Sequence, residues 1–188
     1  MSTKESGISV KTITETAIMA ALICVLGPLS VPVGPVPVSL APFAIFLTAC
    51  VLGEKKGTAA VLIYLLLGLV GLPVFSGFTG GPQKLFGPTG GFLAGYILAA
   101  LTAGWTFDHF RNNLAAQAAG CLLALAVLYA FGTVWLMYQA HLSLANALQA
   151  AVLPFIGLDI LKIAAAILVG KSVRAALERA HILPVSFS

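Results

Sequence analysis

The chain has 188 residues, of which 60% are hydrophobic and 9% charged, with a formal net charge of +4. A soluble domain carries about 25% charged residues, so there is too little polar surface here to coat a water-soluble globule. Composition therefore excludes a soluble enzyme and points to an integral membrane protein; at about 20 residues per spanning helix, the length holds about six helices and no sizeable soluble domain.

Residues 1–11 form a polar tail with Lys4 and Lys11. The tail and the apolar stretch behind it resemble a signal peptide, with Ser39-Leu40-Ala41 as a loose cleavage site. The proline-rich run before that site, Pro42 after it and Glu15 in the approach favour instead a first spanning helix that stays in the mature chain. That helix is expected over 12–28. Its Ala17 and Ala21 form a small-xxx-small pattern, which lets another helix approach closely. Residues 28–42 then hold five of the ten prolines. Fixed φ and missing N–H groups forbid a helix there. The segment is extended yet apolar, and such backbone in a membrane protein lines or caps a cavity.

A second helix is expected over 42–52, opened by Pro42 in its first turn. A tight charged turn, Gly53-Glu54-Lys55-Lys56-Gly57, leads to a third helix over 58–72. The loop 73–91 is glycine-rich and includes Phe75, Phe78, Gly80, Gly81, Gln83, Lys84, Phe86, Thr89, Gly90 and Gly91. Thr89 is a candidate cap for a fourth helix over 90–107, which carries Tyr96. A fifth helix over 114–138 follows a polar turn. A sixth over 144–170 frays into 171–179.

Orientation follows from charge. With the amino terminus in the cytoplasm, eight of the ten Lys and Arg residues lie inside, leaving Lys84 and Lys162. This satisfies the positive-inside rule. Both unusual loops, after the first and third helices, then lie on the outer side. Asp159, about midway along the sixth helix, approaches from that side.

Within the apolar run 144–170, Asp159 and Lys162 are the only formal charges. Three residues along a helix turn through about 300° and rise about 4.5 Å, so both side chains share a face. Each charge costs about 2.5–3.5 kcal/mol at the bilayer centre on insertion scales. The pair must face protein, water or a ligand. It is either a structural pin between helices or a site for a polar solute.

Other motifs carry less. Gly170-Lys171-Ser172 resembles the tail of a phosphate-binding loop, but Ala165 stands where its first glycine belongs and no strand precedes it. Nucleotide binding is rejected, and uphill transport needs a partner that hydrolyses nucleotide or an ion gradient. His109, His141 and His181, and Cys24, Cys50 and Cys121, lack metal-ligand spacing. The serines show no triad pattern. No enzymatic role, metal, cofactor or nucleic-acid partner is expected. Trp105, Trp135 and Tyr138 read as interface anchors. The glycine-rich loop is either a flexible outer turn or a ligand cradle. In the second case, N–H groups before the fourth helix hold an oxygen anion, Gln83 donates and accepts, and Phe75, Phe78, Phe86 and Tyr96 give apolar contact. Lys84 is ambiguous between ligand and solvated rim.

Three stretches together resemble the biotin transporter BioY family, the S components of energy-coupling factor vitamin transporters. They are the 33–40 proline segment, the 71–92 run from Gly71-Leu72-Pro73 through Gly90-Gly91-Phe92, and Pro154-Phe155 with Asp159 and Lys162. The resemblance implies an all-α, six-helix membrane protein of the bacterial plasma membrane, with both termini cytoplasmic. It implies a biotin site near the outer face, closed by the two loops, to which Asp159, Lys162, Gln83, Gly80, Gly81, Phe86, Thr89, Gly90, Gly91, Tyr96, Phe75 and Ser39 are the candidates. It implies docking through Ala17 and Ala21 on a membrane-embedded coupling subunit, with two ATPase subunits. One departure stands out: the family often has glutamine where this chain has Ala41, so a polar contact there is lost or moved to Ser39 or Gln83. The alternatives are an ion-coupled carrier for another small solute, with the charged pair as a protonation switch, and a non-transporting scaffold.

Overall fold

The computed structural model describes residues 9–33 and 36–180. Lys4, the Gly34-Pro35 pair and His181 lie outside them. The described residues form helices α1 (Val10–Leu26), α2 (Ala41–Leu69), α3 (Pro82–Leu85), α4 (Gly90–His109), α5 (Leu114–Ala140), α6 (Leu144–Ala151) and α7 (Ile156–Arg179), with strands β1 (Ser30–Val31) and β2 (Val38–Ser39) between α1 and α2. Up to Leu40, the described residues of the proline segment form no helix, as expected. Its proline-free residues form a short antiparallel ladder in which Ser30 faces Ser39 and Val31 faces Val38.

The helix boundaries differ from the sequence expectations in three main places, each for an identifiable reason. The charged turn after residue 52 shrinks to one residue, Gly53, with φ 76° and ψ −165°. Glu54, Lys55 and Lys56 are already helical. Asp108 makes this possible, because its Oδ2 accepts the Glu54 N–H at 2.8 Å and caps the second half of α2 across the bundle. A Cβ at Gly53 would stand 2.3 Å from Asp108 Oδ1, so only glycine fits both the backbone angle and the cap.

The expected 144–170 helix is broken into α6 and α7, bent by 47°. Pro154 has no N–H to donate to a carbonyl four residues back, and its ring clashes there. The break puts Asp159 in the first turn of α7 rather than midway along a long helix. At its other end α7 does not fray at Gly170. Gly170 is buried against Cys50, and Arg174 bonds the Cys50 carbonyl at 3.1 Å and Glu178 at 3.2 Å. These contacts carry the helix on to Arg179.

Packing is that of a membrane bundle. Small residues are prominent among the buried ones: Ala44, Ala49, Ala60, Ala99, Ala100, Ala103 and Ala124 are at most 1% exposed, beside large side chains such as Phe46 and Tyr64. Leu66, Leu123, Leu161 and Leu168 point outward. Close backbone approach through small residues, with large apolar side chains outside, is what association in lipid favours. α2 packs on α4, α7 and α1, and α4 packs on α5. Glu15 of α1 is buried and pairs with Lys56 of α2 at 2.5 Å. α4 and α5 are each long and apolar enough to cross a membrane, and α6 with α7 forms a third, bent candidate. The two halves of α2 are shorter than the roughly 20 residues a straight span requires.

The bundle has two dissimilar ends. At one, the Gly53 break, the end of α4, the start of α5 and the end of α7 meet through Asp108, Arg111 and Arg174. At the other, Ser39 Oγ donates to the Gly27 carbonyl and closes the loop after α1 on itself, and Gly77 N–H donates to the Pro28 carbonyl and ties the loop after α2 to it.

Candidate functional site

Beneath those two loops lies a chamber with about 50 Å³ of free space, room for a few waters at roughly 10–15 Å³ each. The first turns of α7 supply its charges. Lys162 Nζ donates to Asp159 Oδ1 at 2.7 Å, and the two side chains are only 12% and 6% exposed. Tyr129, from α5, donates its hydroxyl to the other carboxylate oxygen, Oδ2, at 2.7 Å. Asp159 also sits at the positive end of the α7 dipole, which favours its negative charge. The pair is thus neutralised and held without being saturated. Each carboxylate oxygen keeps a lone pair for an N–H donor, and the ammonium keeps two hydrogens for an acceptor.

The rest of the lining is brought together from distant segments. Val36, Pro37 and Ser39 come from the proline segment, and Pro42 from the first turn of α2. Phe92, Leu93 and Tyr96 come from α4, Leu128 from α5, and Phe155 from the α6–α7 corner. Ser76 and Thr89 complete the rim.

Of the twelve candidate binding residues, the structure brings Asp159, Lys162, Tyr96, Thr89 and Ser39 to the chamber. Ser39 is heavily committed, donating to Gly27 O and accepting from Ala41 N–H, both at 2.9 Å. Thr89 occupies the residue before α4 but makes no cap bond. Its φ of −91° and ψ of 0° are already helical, so the hydroxyl is free to face the chamber.

The others lie elsewhere. Phe75 is fully buried, edge-on to Tyr64 at 5.4 Å, and fills the hollow over Gly68. Phe86 and Phe78 are about two-thirds exposed. Gln83 is exposed on α3, with Lys84 half-exposed beside it. Gly80 and Gly81 fold the loop back on α2, where Gly81 N–H donates to Gly68 O at 2.7 Å. Gly90 and Gly91 pack against Leu85 and Trp135. The expected N–H cradle is mostly spent within its own turn: Gly90 N–H goes to Gly87 O, and those of Phe92 and Leu93 go to Thr89 O. Trp135 is more than an interface anchor, since its Nε1 donates to Gly87 O at 2.8 Å and holds the loop.

Tyr129 escaped the sequence reading. The signal for it was a tyrosine in mid-span, inside a Leu- and Ala-rich run, away from the interface where tyrosines gather. A buried phenol there needs a hydrogen-bond partner.

Outward-facing leucines, buried small residues and a buried ion pair under two loops mark an integral membrane protein with an internal polar site. The chain belongs to the BioY family, whose model matches residues 1–179. It is 41% identical over 155 residues to the biotin transporter BioY of Thermotoga maritima, covering 82% of this chain and 90% of that one. It is 36% identical over 150 residues to the biotin transporter BioY2 of Lactococcus lactis, covering 80% and 82%. A crystal structure of the S-component for biotin from an ECF-type ABC transporter superposes with a TM-score of 0.83 at 30% identity, covering 93% of this chain and 95% of that one.

Proposed function

We propose that this chain is the substrate-capture subunit of an ATP-driven importer, binding biotin from the outer side and delivering it inward. The observation that carries this reading is the buried Asp159–Lys162 pair, which offers acceptor and donor capacity into the chamber. A ureido ring has two N–H donors, which match the carboxylate. A valerate carboxylate matches the ammonium. Phe92, Leu128 and Phe155 supply apolar walls for the ring and chain between. Ligand pockets for small molecules run to about 300–1,000 Å³, so the chamber, with about 50 Å³ of free space, widens to take biotin. The loops after α1 and α2 move outward to admit the vitamin. The proposal includes six spans, with α2 counted as two, and cytoplasmic termini in the bacterial plasma membrane. Clustering of Arg111, Lys171 and Arg174 at the end opposite the chamber supports that orientation.

Thermal unfolding with biotin, riboflavin, thiamine and a blank tests the reading. A ligand at 100 times its Kd stabilises the fold by about 2.7 kcal/mol, so biotin alone is expected to raise Tm. A rise with another vitamin and none with biotin rejects the assignment.

Energy then comes from partners: a membrane-embedded coupling subunit and two ATPase subunits. Ala17 and Ala21 are both exposed on α1, beside the exposed Ile13, Ile18 and Val25, which supports a helix docking there. Ala17→Leu or Ala21→Leu is expected to block recovery of the complex in a pull-down while biotin binding persists. Assembly at the parental level removes these alanines from the interface. Uptake that survives loss of the ATPases and collapses with the ion gradient identifies a secondary carrier instead.

A further inference from the structure

The end of the bundle opposite the chamber holds a second cavity, of about 370 Å³. It is lined by Arg111 of the α4–α5 turn, Gln117 of α5, and Lys171, Arg174 and Glu178 of α7, with Cys50 and Phe107 at its apolar side. Three cations therefore meet one lining carboxylate. Arg174 is occupied by Glu178 and the Cys50 carbonyl. Arg111 has only a loose partner, Asp108 at 3.9 Å, whose Oδ2 already accepts from Glu54 N–H. Lys171 makes no ion pair among the described residues.

A second observation is independent of charge. Gln117 is 2% exposed, and its Nε2 donates to the carbonyls of Phe110 and Arg111 at 2.8 and 2.7 Å. Those bonds fix the amide, and its Oε1 is left buried without a partner. Gln117 lines the cavity, and its unpaired oxygen is met by water or by a ligand that carries an O–H or N–H donor next to its anion.

We propose that this cavity binds a phosphodiester headgroup bearing a hydroxyl, the chemistry of an anionic glycerol-headed lipid. Lys171 and Arg111 pair with the phosphate, and the hydroxyl donates toward the Gln117 side. Lipid is favoured over a free phosphate because exposed apolar residues flank the basic ones: Phe110, Leu114 and Val173. Lys171 is twelve residues along α7 from Asp159, about 18 Å at 1.5 Å per residue. That separation suits a chamber toward one leaflet and a headgroup at the opposite interface, where basic pockets between helices hold lipid heads.

The test is native mass spectrometry and thermal shift on the full chain in zwitterionic detergent. Phosphatidylglycerol, phosphatidylcholine and inorganic phosphate are titrated separately. Phosphatidylglycerol is expected to be retained at one per chain and to raise Tm, with phosphatidylcholine doing neither. Each basic side chain contributes about a factor of five, so Lys171→Gln with Arg111→Gln is expected to weaken retention roughly twenty-five-fold. Lys55→Gln, an exposed charge outside the cavity, is expected to leave it unchanged. A matching Tm rise with inorganic phosphate keeps the phosphate site and assigns it to a solute. Equal retention of both lipids, or equal loss in Lys55→Gln, overturns the proposal, as does undiminished retention by the folded double variant.

Discussion

Asp159→Asn is expected to weaken biotin binding by about 2–5 kcal/mol, thirty-fold at the least, measured by titration calorimetry in detergent. The carboxylate faces the chamber with Lys162 and Tyr129 already bound to it. An amide in its place loses the charge and turns one acceptor into a donor facing donors. Lys162→Met acts differently. It leaves a 4%-exposed Asp159 without its counter-charge, which is expected to cost about 3–5 kcal/mol of fold stability. The double variant separates the two roles. With both charges gone, the desolvation penalty goes too, so Tm is expected to recover toward the parent while biotin binding stays lost. If the pair were only a pin between helices, the Asp159→Asn protein would bind biotin like the parent as long as it folded. That outcome would overturn the site.

The second large effect is expected at Gly90→Ala, with a loss of about 3 kcal/mol in stability read from detergent unfolding. A Cβ there would lie 1.8 Å from the Leu85 carbonyl oxygen, which is backbone and has no rotamer to yield. The neighbouring Gly91 would meet Trp135 Cβ at 2.2 Å. These glycines let the loop, the start of α4 and the end of α5 close on one another, with Trp135 and Gln139 holding the loop carbonyls. A packing role predicts that Tm falls first. A fall in biotin affinity at unchanged Tm would return the glycines to the ligand.

The site was legible to the degree that its chemistry is expensive. An acid and an amine three apart in an apolar run have no bland location, so Asp159 and Lys162 stood out without a fold. Tyr129 did not, because a tyrosine costs little in a membrane helix and its partner lies thirty residues away. Ser39 and Thr89 reached the chamber on the strength of extended and helix-entry backbone that proline and glycine announce. Phe75 misled because an aromatic in a loop looks the same whether it faces a ligand or plugs the core over Gly68.

What the sequence by itself determined is the membrane class, the apolar helices, the helix-free proline segment and the buried charge pair. Each follows from local composition or from a backbone restriction carried within a few residues. The break at Pro154, which leaves Asp159 in the first turn of α7, is also local, resting on a missing N–H and a ring clash; only the tertiary structure decided that Gly53 alone breaks α2. It also decided which loop residues meet the charges. Those outcomes depend on long-range partners, such as Asp108 capping Glu54 across the bundle and Trp135 holding Gly87. Their energies come from pairs that no window along the chain contains.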